Sequence, residues 1–227
     1  MDYLEHNKQE AAQSAAHKFL VKTLSKSALK VTGTESHMSF FLYYFLQKYA
    51  PFKEGKNIIV VDIGGAKGDY ISYSAPNIEK YVVDIDDFYS LELKKQKISF
   101  KKCDLEKDRF PFKDKSVDIV ILNHILEHLQ NPFVALQKIH QALKEGGIAI
   151  IRVPDISRVG WSFYDDFTHV TPFNKGKMRN MLSTAKFSIQ YLDNFNYSHF
   201  MGSFFLTSNP ALSWSRFGNE VIAIAKK

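Results

Sequence analysis

The feature that most constrains this chain is the rhythm of its central part, where short runs of Ile and Val alternate with turns and helical segments. The run Ile58-Ile59-Val60-Val61 is continuously apolar, which is typical of a strand buried on both faces of a parallel sheet. Strands are predicted over 57–62, 80–86, 98–103, 117–122, 148–153, 187–193 and 220–225. Helices are predicted over 67–75 and 87–95, from the Asn131-Pro132 pair onward, and near 174–184. This alternation predicts a doubly wound α/β sandwich.

Length and composition place the chain among ordinary globular proteins. Its 227 residues are 45% apolar, enough for one large domain with a full core. The longest apolar run, 40–46, is far shorter than a membrane-spanning helix requires, and no basic, apolar signal segment opens the sequence. Cys103 is the single cysteine, so a disulfide or a multi-cysteine zinc site within the chain is excluded. We therefore expect a cytoplasmic protein without a transmembrane segment.

The first 55 residues differ in character from the rest of the chain. Helices are predicted over 8–30 and 37–50 from the spacing of apolar residues, and Pro51 and Gly55 then end the helical pattern. We expect an N-terminal helical cap over 1–55 that forms one folding unit with the domain over 56–227. The aromatic side chains of 37–50 either pack on the edge of the sheet or form a lid over a pocket, and 197–206 is a second candidate wall of that pocket.

The net charge of +6 is concentrated in one segment. Residues 94–115 contain nine basic and four acidic side chains, a balance that suits RNA, phosphorylated sugars or an anionic membrane surface. The alternative is a solvated, lysine-rich face. Phe100, Phe110 and Phe112 are interpreted as core residues rather than as platforms for stacked bases.

A glycine-rich turn follows the first predicted strand, in the sequence Asp62-Ile63-Gly64-Gly65-Ala66-Lys67-Gly68. Small residues at such a turn allow a ligand to approach the backbone, where the next helix offers free N–H groups. The spacing excludes the dinucleotide pattern G-x-G-x-x-G, because Ala66 and Asp69 stand where it needs glycine. It also excludes a P-loop, because no Gly-Lys-Ser/Thr comes after it. The turn fits D-x-G-x-(G/A)-x-G.

With this turn the chain resembles the class I S-adenosylmethionine-dependent methyltransferases over roughly residues 55–193. The resemblance implies that the turn holds the methionine part of S-adenosyl-L-methionine, that Asp84 (or Asp86) binds the ribose hydroxyls, and that Cys103-Asp104-Leu105 meets the adenine. It also implies a Rossmann-like, mostly parallel, seven-stranded sheet with an antiparallel last strand, in a three-layer sandwich. The implied cofactor-binding residues are Asp62, Gly64, Gly65, Gly68, Asp84, Asp86, Asp104, Leu105 and Asn123.

Two later motifs narrow the resemblance. The segment Asn123-His124-Ile125-Leu126-Glu127-His128-Leu129 resembles the H-x-L-E-H signature of type 11 methyltransferases that act on small molecules, and Ala142–Gly147 resembles their L-K-P-G-G. Residues 164–173 resemble D-P-T-H-V-R-P-F, found in methyltransferases of glycan and polysaccharide biosynthesis. Phe167 and Thr171 depart from that form.

The candidate catalytic residues come after the fourth and fifth predicted strands. Methyl transfer to a hydroxyl benefits from a general base, and His169 is the first candidate, with Asp166 orienting its ring or binding a sugar hydroxyl. The alternative is a structural His–Asp pair. His124 is a candidate substrate contact. A metal site built from Glu127, His128 and His169 is conceivable, but no metal is expected, since neither H-x-x-x-H spacing nor a cysteine pair accompanies them.

The sequence thus predicts an S-adenosylmethionine-dependent methyltransferase that acts on a small-molecule or glycan acceptor, with oxygen as the methylated atom. An RNA methyltransferase using the 94–115 segment is an alternative, although no N-P-P-Y/F-type motif comes after the fourth strand. A catalytically silent binding protein with the same fold is another.

Overall fold

A computed structural model describes residues 57–72, 78–195 and 218–227. The predicted cap over 1–55, its boundary at residue 56 and the predicted pocket wall over 197–206 lie outside these ranges. Among the helices inside them, none combines the length and the apolar character that a bilayer crossing requires.

The described strands form one seven-stranded sheet. They are β1 (Ile58–Ile63), β2 (Ile78–Asp84), β3 (Ser99–Lys102), β4 (Val117–Asn123), β5 (Leu143–Pro154), β6 (Ser188–Phe195) and β7 (Glu220–Lys226). Their order across the sheet is β3-β2-β1-β4-β5-β7-β6. Strands β1 to β5 run parallel, whereas β7 pairs antiparallel with both β5 and β6. The predicted mixed sheet with an antiparallel last strand is confirmed.

Four helices accompany the sheet within the described ranges: α1 (Ser90–Lys95), α2 (Pro132–Ala142), α3 (Ile156–Val159) and α4 (Lys175–Thr184). Helix α2 begins as predicted, because Asn131 Oδ1 accepts a hydrogen bond from Val134 N and Pro132 occupies the first helical position, where it needs no partner for an N–H. Asn174 caps α4 in the same way through Lys177 N.

The core has two halves, one on each face of the sheet. Side chains alternate along a strand, so Val61 and Ile63 face the half that contains α2 and α4, whereas Ile58 and Val60 face the half that contains Tyr70 and α1. Because both faces are covered, the central parts of β1, β4 and β5 are continuous runs of buried apolar residues, as predicted for a three-layer sandwich.

Two predicted elements differ from the structure. The segment predicted as a helix over 67–75 contains one 3₁₀ turn, Asp69–Ile71, and residues 73–77 lie outside the described ranges. Strand β5 begins at Leu143 rather than at 148 and continues through Gly146 and Gly147. A Cβ on Gly147 would stand 2.9 Å from Lys144 O and 3.1 Å from Asp118 O, so Gly147 lets the backbone of β5 pass close to β4, and neither glycine ends the strand.

Because β1 to β5 are parallel, their carboxyl ends lie along one edge of the sheet. In open α/β sheets, ligands bind at this edge. The glycine turn, the acidic residues after β2 and β3, and the histidines after β4 and β5 are therefore brought together here.

Candidate functional site

The glycine turn after β1 is shaped by backbone geometry and close packing. Gly64 and Gly68 have φ of 66° and 77°, in the left-handed region where glycine is favoured. A Cβ on Gly64 would collide with Ile125, and one on Gly68 would stand within 2.9 Å of Ile98 and Leu93. Gly64 N donates to Val83 O at 2.8 Å, which joins the turn to the end of β2.

Ala66 occupies the middle of this turn with a φ of 43°. This is a strained conformation for a residue with a Cβ, and glycine would adopt it with less strain. The turn therefore carries alanine at this position at a cost in backbone strain.

Asp62, the single acidic residue of β1, is almost fully buried beneath the turn. Its Oδ2 has no hydrogen-bond partner within the described part of the chain, and a Cβ on Gly65 would stand 2.6 Å from that atom. Burial raises the pKa of Asp62 to about 8, and the charges of Asp84 and Asp69 add to the effect. Among the described residues, the turn thus leaves a buried carboxyl oxygen without a partner, next to Gly65, which has no side chain.

Asp84 and Asp86 stand at and just beyond the end of β2. Asp84 Oδ1 accepts from Ile85 N at 2.7 Å, and Asp86 Oδ1 accepts from Phe88 N at 3.0 Å. Asp84 is half-buried next to the glycine turn, whereas Asp86 is exposed. The structure thus places Asp84 closer than Asp86 to the centre of the edge.

Asp104 accepts hydrogen bonds from the loop that follows it. Its Oδ1 accepts from Glu106 N at 2.9 Å and Lys107 N at 3.3 Å, and its Oδ2 pairs with Lys107 Nζ at 3.1 Å. The hydrogen bond from Glu106 N and the contacts with Lys107 hold the pKa of Asp104 below its usual value. Leu105 is buried in the core, and Cys103 N donates to Asp84 O, so this loop lies beside β2 at the same edge.

His124 stands directly after β4, between two carboxylates. Its Nδ1 lies 3.0 Å from Glu127 Oε1 and its Nε2 lies 3.0 Å from Glu220 Oε1. Carboxylates accept hydrogen bonds, so both ring nitrogens donate and the imidazole is positively charged. Burial lowers the pKa of His124, but the hydrogen bonds to Glu127 and Glu220 outweigh it and raise the pKa to about 9. With both nitrogens engaged, His124 is a structural cation.

Arg152 and Tyr70 extend this contact. Arg152 Nε lies 3.3 Å from Glu220 Oε2, and an Nη of Arg152 donates to the Tyr70 hydroxyl at 3.0 Å. We call the set Tyr70, Arg152, Glu220, His124 and Glu127 the charge network. Its two cations and two carboxylates balance, and it joins β4, β5 and β7 with the glycine-turn segment. Burial raises the pKa of Glu220, but the charges of Arg152 and His124 lower it below its usual value.

Arg152 and Glu220 were not predicted as site residues. The signal available in the sequence was a charged residue inside the apolar run of β5 and another at the start of the last strand. Such positions require a partner, but which partner they meet is decided by the antiparallel pairing of β5 with β7.

His169 lies in the loop after β5, against Phe163 and His128. Its Nδ1 is 2.7 Å from Phe163 O, and its Nε2 is 3.8 Å from Asp166 Oδ2, beyond hydrogen-bond distance. Asp166 instead accepts from Thr168 N at 2.9 Å and from Thr168 Oγ1 at 2.6 Å. The ring centroids of His128 and His169 are 4.8 Å apart.

The segment that resembles a glycan-type motif fastens one loop to another. Thr171 Oγ1 donates to Leu129 O at 2.7 Å, and Val170 N and Thr171 N both donate to Glu127 O at 2.9 Å. Phe173 is fully buried, and its backbone pairs with that of Asp155 in an isolated parallel β-bridge. Thr171, which departs from the motif, thus has a structural role in tying the loop after β5 to the turn after β4.

The basic segment 94–115 is partly neutralised. Lys107 and Lys115 form ion pairs with Asp104 and Glu145, and the Lys101 ammonium lies over the rings of Tyr81 and Phe112. Phe110 is buried and Phe112 packs against the core, as the sequence predicted. These contacts reduce the charge available to an anionic partner.

Comparison with known proteins fits this geometry. Residues 61–151 match the family model described as a methyltransferase domain. A solved structure of a SAM-dependent methyltransferase from Archaeoglobus fulgidus superposes with a TM-score of 0.60 at 21% identity, covering 83% of this chain and 94% of that one. The chain has the fold of the class I S-adenosylmethionine-dependent methyltransferases. The matches imply S-adenosyl-L-methionine as the cofactor of this methyltransferase fold.

Two further relatives show how widely this fold is used. Malonyl-[acyl-carrier protein] O-methyltransferase 1 of Coxiella burnetii is 29% identical over 145 residues, which are 60% of this chain and 49% of that protein. This chain therefore spans about half the length of that relative. The [4+2]-cyclase SpnF superposes with a TM-score of 0.61 at 13% identity, covering 83% of this chain and 80% of SpnF. The fold alone does not decide the reaction.

The residues at the edge suit this methyltransferase cofactor. Asp62 Oδ2 and Asn123 Oδ1 are buried polar atoms without hydrogen-bond partners among the described residues, at the ends of the adjacent strands β1 and β4. The glycines between them leave room that side chains would fill. A ligand with an ammonium and hydroxyl groups would satisfy such atoms.

Proposed function

We propose that this protein is an S-adenosylmethionine-dependent methyltransferase that acts on a hydroxyl of a small-molecule or glycan acceptor. The observation that carries the proposal is the juxtaposition, at one sheet edge, of the glycine turn with the acidic side chains Asp62 and Asp84. Oxygen as the methylated atom is supported by the name of the Coxiella burnetii relative, an O-methyltransferase.

On the cofactor side, the turn Gly64–Gly68 would contact the methionine part, and Asp84 would accept hydrogen bonds from the ribose hydroxyls. Asp86 is the alternative ribose contact, and Asp104 and Leu105 would line the adenine side. Asn123, at the end of β4 next to β1, would be a further cofactor contact. When bound, S-adenosyl-L-methionine supplies an electrophilic methyl group, which is transferred to the acceptor oxygen as the carbon–sulfur bond breaks with its electrons remaining on sulfur. The protein's task is then to align the acceptor and exclude water.

On the acceptor side, we assign to His169 the role of taking the hydroxyl proton. Phe163 O accepts a hydrogen bond only, so Nδ1 of His169 carries the hydrogen and Nε2 presents its lone pair. Asp166 would stabilise the imidazolium that forms, since its carboxylate lies 3.8 Å from Nε2. His124 cannot serve in this way, because both of its nitrogens donate to carboxylates.

Calorimetric titration with S-adenosylhomocysteine, with NAD as a control ligand, tests the proposal. We expect micromolar binding of S-adenosylhomocysteine alone, weakened at least about tenfold by Asp84→Ala, which removes a ribose contact made through two hydrogen bonds. Asp86→Ala measures the alternative contact, and Asp87→Ala, an exposed neighbour, is the matched control. If neither S-adenosylhomocysteine nor NAD binds the wild-type protein, the proposal is wrong and a catalytically silent binding protein becomes the better interpretation.

A further inference from the structure

Three side chains of the metal-ligand type converge beside the charge network. They are Glu127 and His128, from the 3₁₀ turn Leu126–His128 after β4, and His169, from the loop after β5. One ligand atom from each lies within 4.8 Å of those of the other two. We call them the loop triad. The two backbone hydrogen bonds to Glu127 O from Val170 and Thr171 hold the two loops together and so hold the loop triad in place.

The hydrogen bonds around the two histidines place the proton on Nδ1 and leave Nε2 as the atom that each would offer to a cation. His169 Nδ1 donates to Phe163 O, which leaves the lone pair on Nε2. The Thr168 hydroxyl donates to Asp166, so its oxygen accepts from His128 Nδ1 at 2.9 Å, and the lone pair of His128 is also on Nε2. Outer contacts of this kind fix the tautomer and orientation of histidines that bind metals.

Glu127 supplies the second, independent observation. Its side chain is fully buried, and His124 holds Oε1, yet Oε2 has no hydrogen-bond partner within the described part of the chain. A buried carboxylate oxygen without a partner is costly, and a cation is the partner that best satisfies it.

We propose that Glu127, His128 and His169 bind a divalent cation of the transition series, Zn²⁺ included. Two imidazoles and one carboxylate are a ligand set typical of such ions, and three protein ligands leave coordination positions open for other oxygens. This proposal departs from the expectation that no metal is bound, which relied on spacing along the sequence, whereas the structure shows that the loop after β5 returns to the turn after β4.

The position of the loop triad links it to the acceptor. Ile125, two residues before Glu127, packs against Gly64, so the segment that carries Glu127 and His128 begins beside the glycine turn. If the proposed function holds, the open coordination positions suit an acceptor with two neighbouring oxygens, such as a vicinal diol or a hydroxycarboxylate. In the cation-bound enzyme His169 is a ligand. The coordinated acceptor hydroxyl then loses its proton to solvent water rather than to the imidazole, because coordination lowers its pKa.

The test is calorimetric titration of the EDTA-treated, dialysed full chain with Zn²⁺, Mn²⁺ and Co²⁺ in separate experiments. We expect one cation per chain for at least one metal, with affinity weakened about tenfold or more in His169→Asn and in His128→Asn. In both variants the Asn amide can still donate in place of Nδ1, while Nε2 is removed. His140→Asn, on α2 and outside the loop triad, is the matched control and should bind as the wild type does. Far-UV circular dichroism establishes that each variant is folded.

Absence of stoichiometric binding for all three metals, or binding that both variants leave unchanged, would overturn the proposal. Titration of the metal-free protein with S-adenosylhomocysteine separates the two proposals. Binding of S-adenosylhomocysteine without cation binding rejects the metal site alone. Cation binding without binding of S-adenosylhomocysteine rejects the proposed function and leaves the metal site intact.

Discussion

The sheet edge formed by the carboxyl ends of β1 to β5 has two halves that are built differently. The half formed by β1, β2 and β3 depends on backbone shape: glycines with positive φ, a strained Ala66 and carboxylates that mostly accept from nearby backbone N–H groups. The half formed by β4, β5 and β7 depends on side chains that meet across long stretches of sequence, such as His124 with Glu220 and Arg152 with Tyr70. The first half is shaped mainly by contacts between residues close together in sequence, and the second by contacts between residues far apart in sequence.

This difference has a consequence for how each half responds to change. A turn shaped by steric contacts is disturbed by added atoms, whereas a balanced set of partly buried charges is disturbed by removal of any one charge. Substitutions in the charge network should therefore destabilise the fold most, and substitutions in the glycine turn should affect stability less but ligand binding more.

The largest effect is expected for Arg152→Met. The substitution leaves Glu220 with one cationic partner at a site where the charges are largely excluded from water, and breaking such a pair costs about 3–5 kcal/mol of unfolding free energy. Urea denaturation measures it. Glu145→Gln, which removes the exposed pair with Lys115, is the control and should leave the unfolding midpoint unchanged. The double variant Arg152→Met/Glu220→Met should recover part of the loss; a loss equal to the sum of the two single effects would show that the network is not coupled.

An intermediate effect is expected for Gly64→Ala. It combines left-handed backbone strain with a collision against Ile125, so we expect a loss of about 2–3 kcal/mol in denaturation experiments and weaker binding of S-adenosylhomocysteine. Gly146→Ala is the matched control. It has φ of 81° but only an ordinary contact with Lys226 Cε at 3.6 Å, so the strain alone should cost about 1 kcal/mol. Equal losses in the two variants would contradict a steric role for Gly64.

The smallest effect is a pH dependence from Asp62. Its pKa in the folded protein is about 8, above the ordinary value of 3.8, so the folded state holds a proton that the unfolded state releases. Stability from this group is present at acidic pH and is lost as pH rises towards 8. Relative to Asp62→Asn, the wild type should lose about 2 kcal/mol of unfolding free energy between pH 6 and pH 8. Parallel stability curves for the two proteins would show that Asp62 does not titrate in this range.

Much of the fold was predictable because its signals are local. Continuous apolar runs mark strands covered on both faces, and the Asn131-Pro132 pair marks the start of a helix because side-chain capping and the fixed φ of proline act within four residues. The errors arose where packing overrode local signals. Gly146 and Gly147 lie within β5, where Gly147 allows the close approach of Asp118 O on β4, and only a single 3₁₀ turn, Asp69–Ile71, is described within the predicted helix over 67–75.

The sequence by itself determined the α/β architecture, the glycine turn and the acidic residues near the ends of β2 and β3, since each depends on residues adjacent along the chain. Only the tertiary structure decided which histidine is a fixed cation and which presents a free lone pair. His124 and His169 are the same residue type, each placed after a strand. They differ because β7 brings Glu220 to one, while the Phe163 carbonyl orients the other. The charge and tautomer of a histidine depend on its partners, and for His124 the partner on β7 lies far away in sequence.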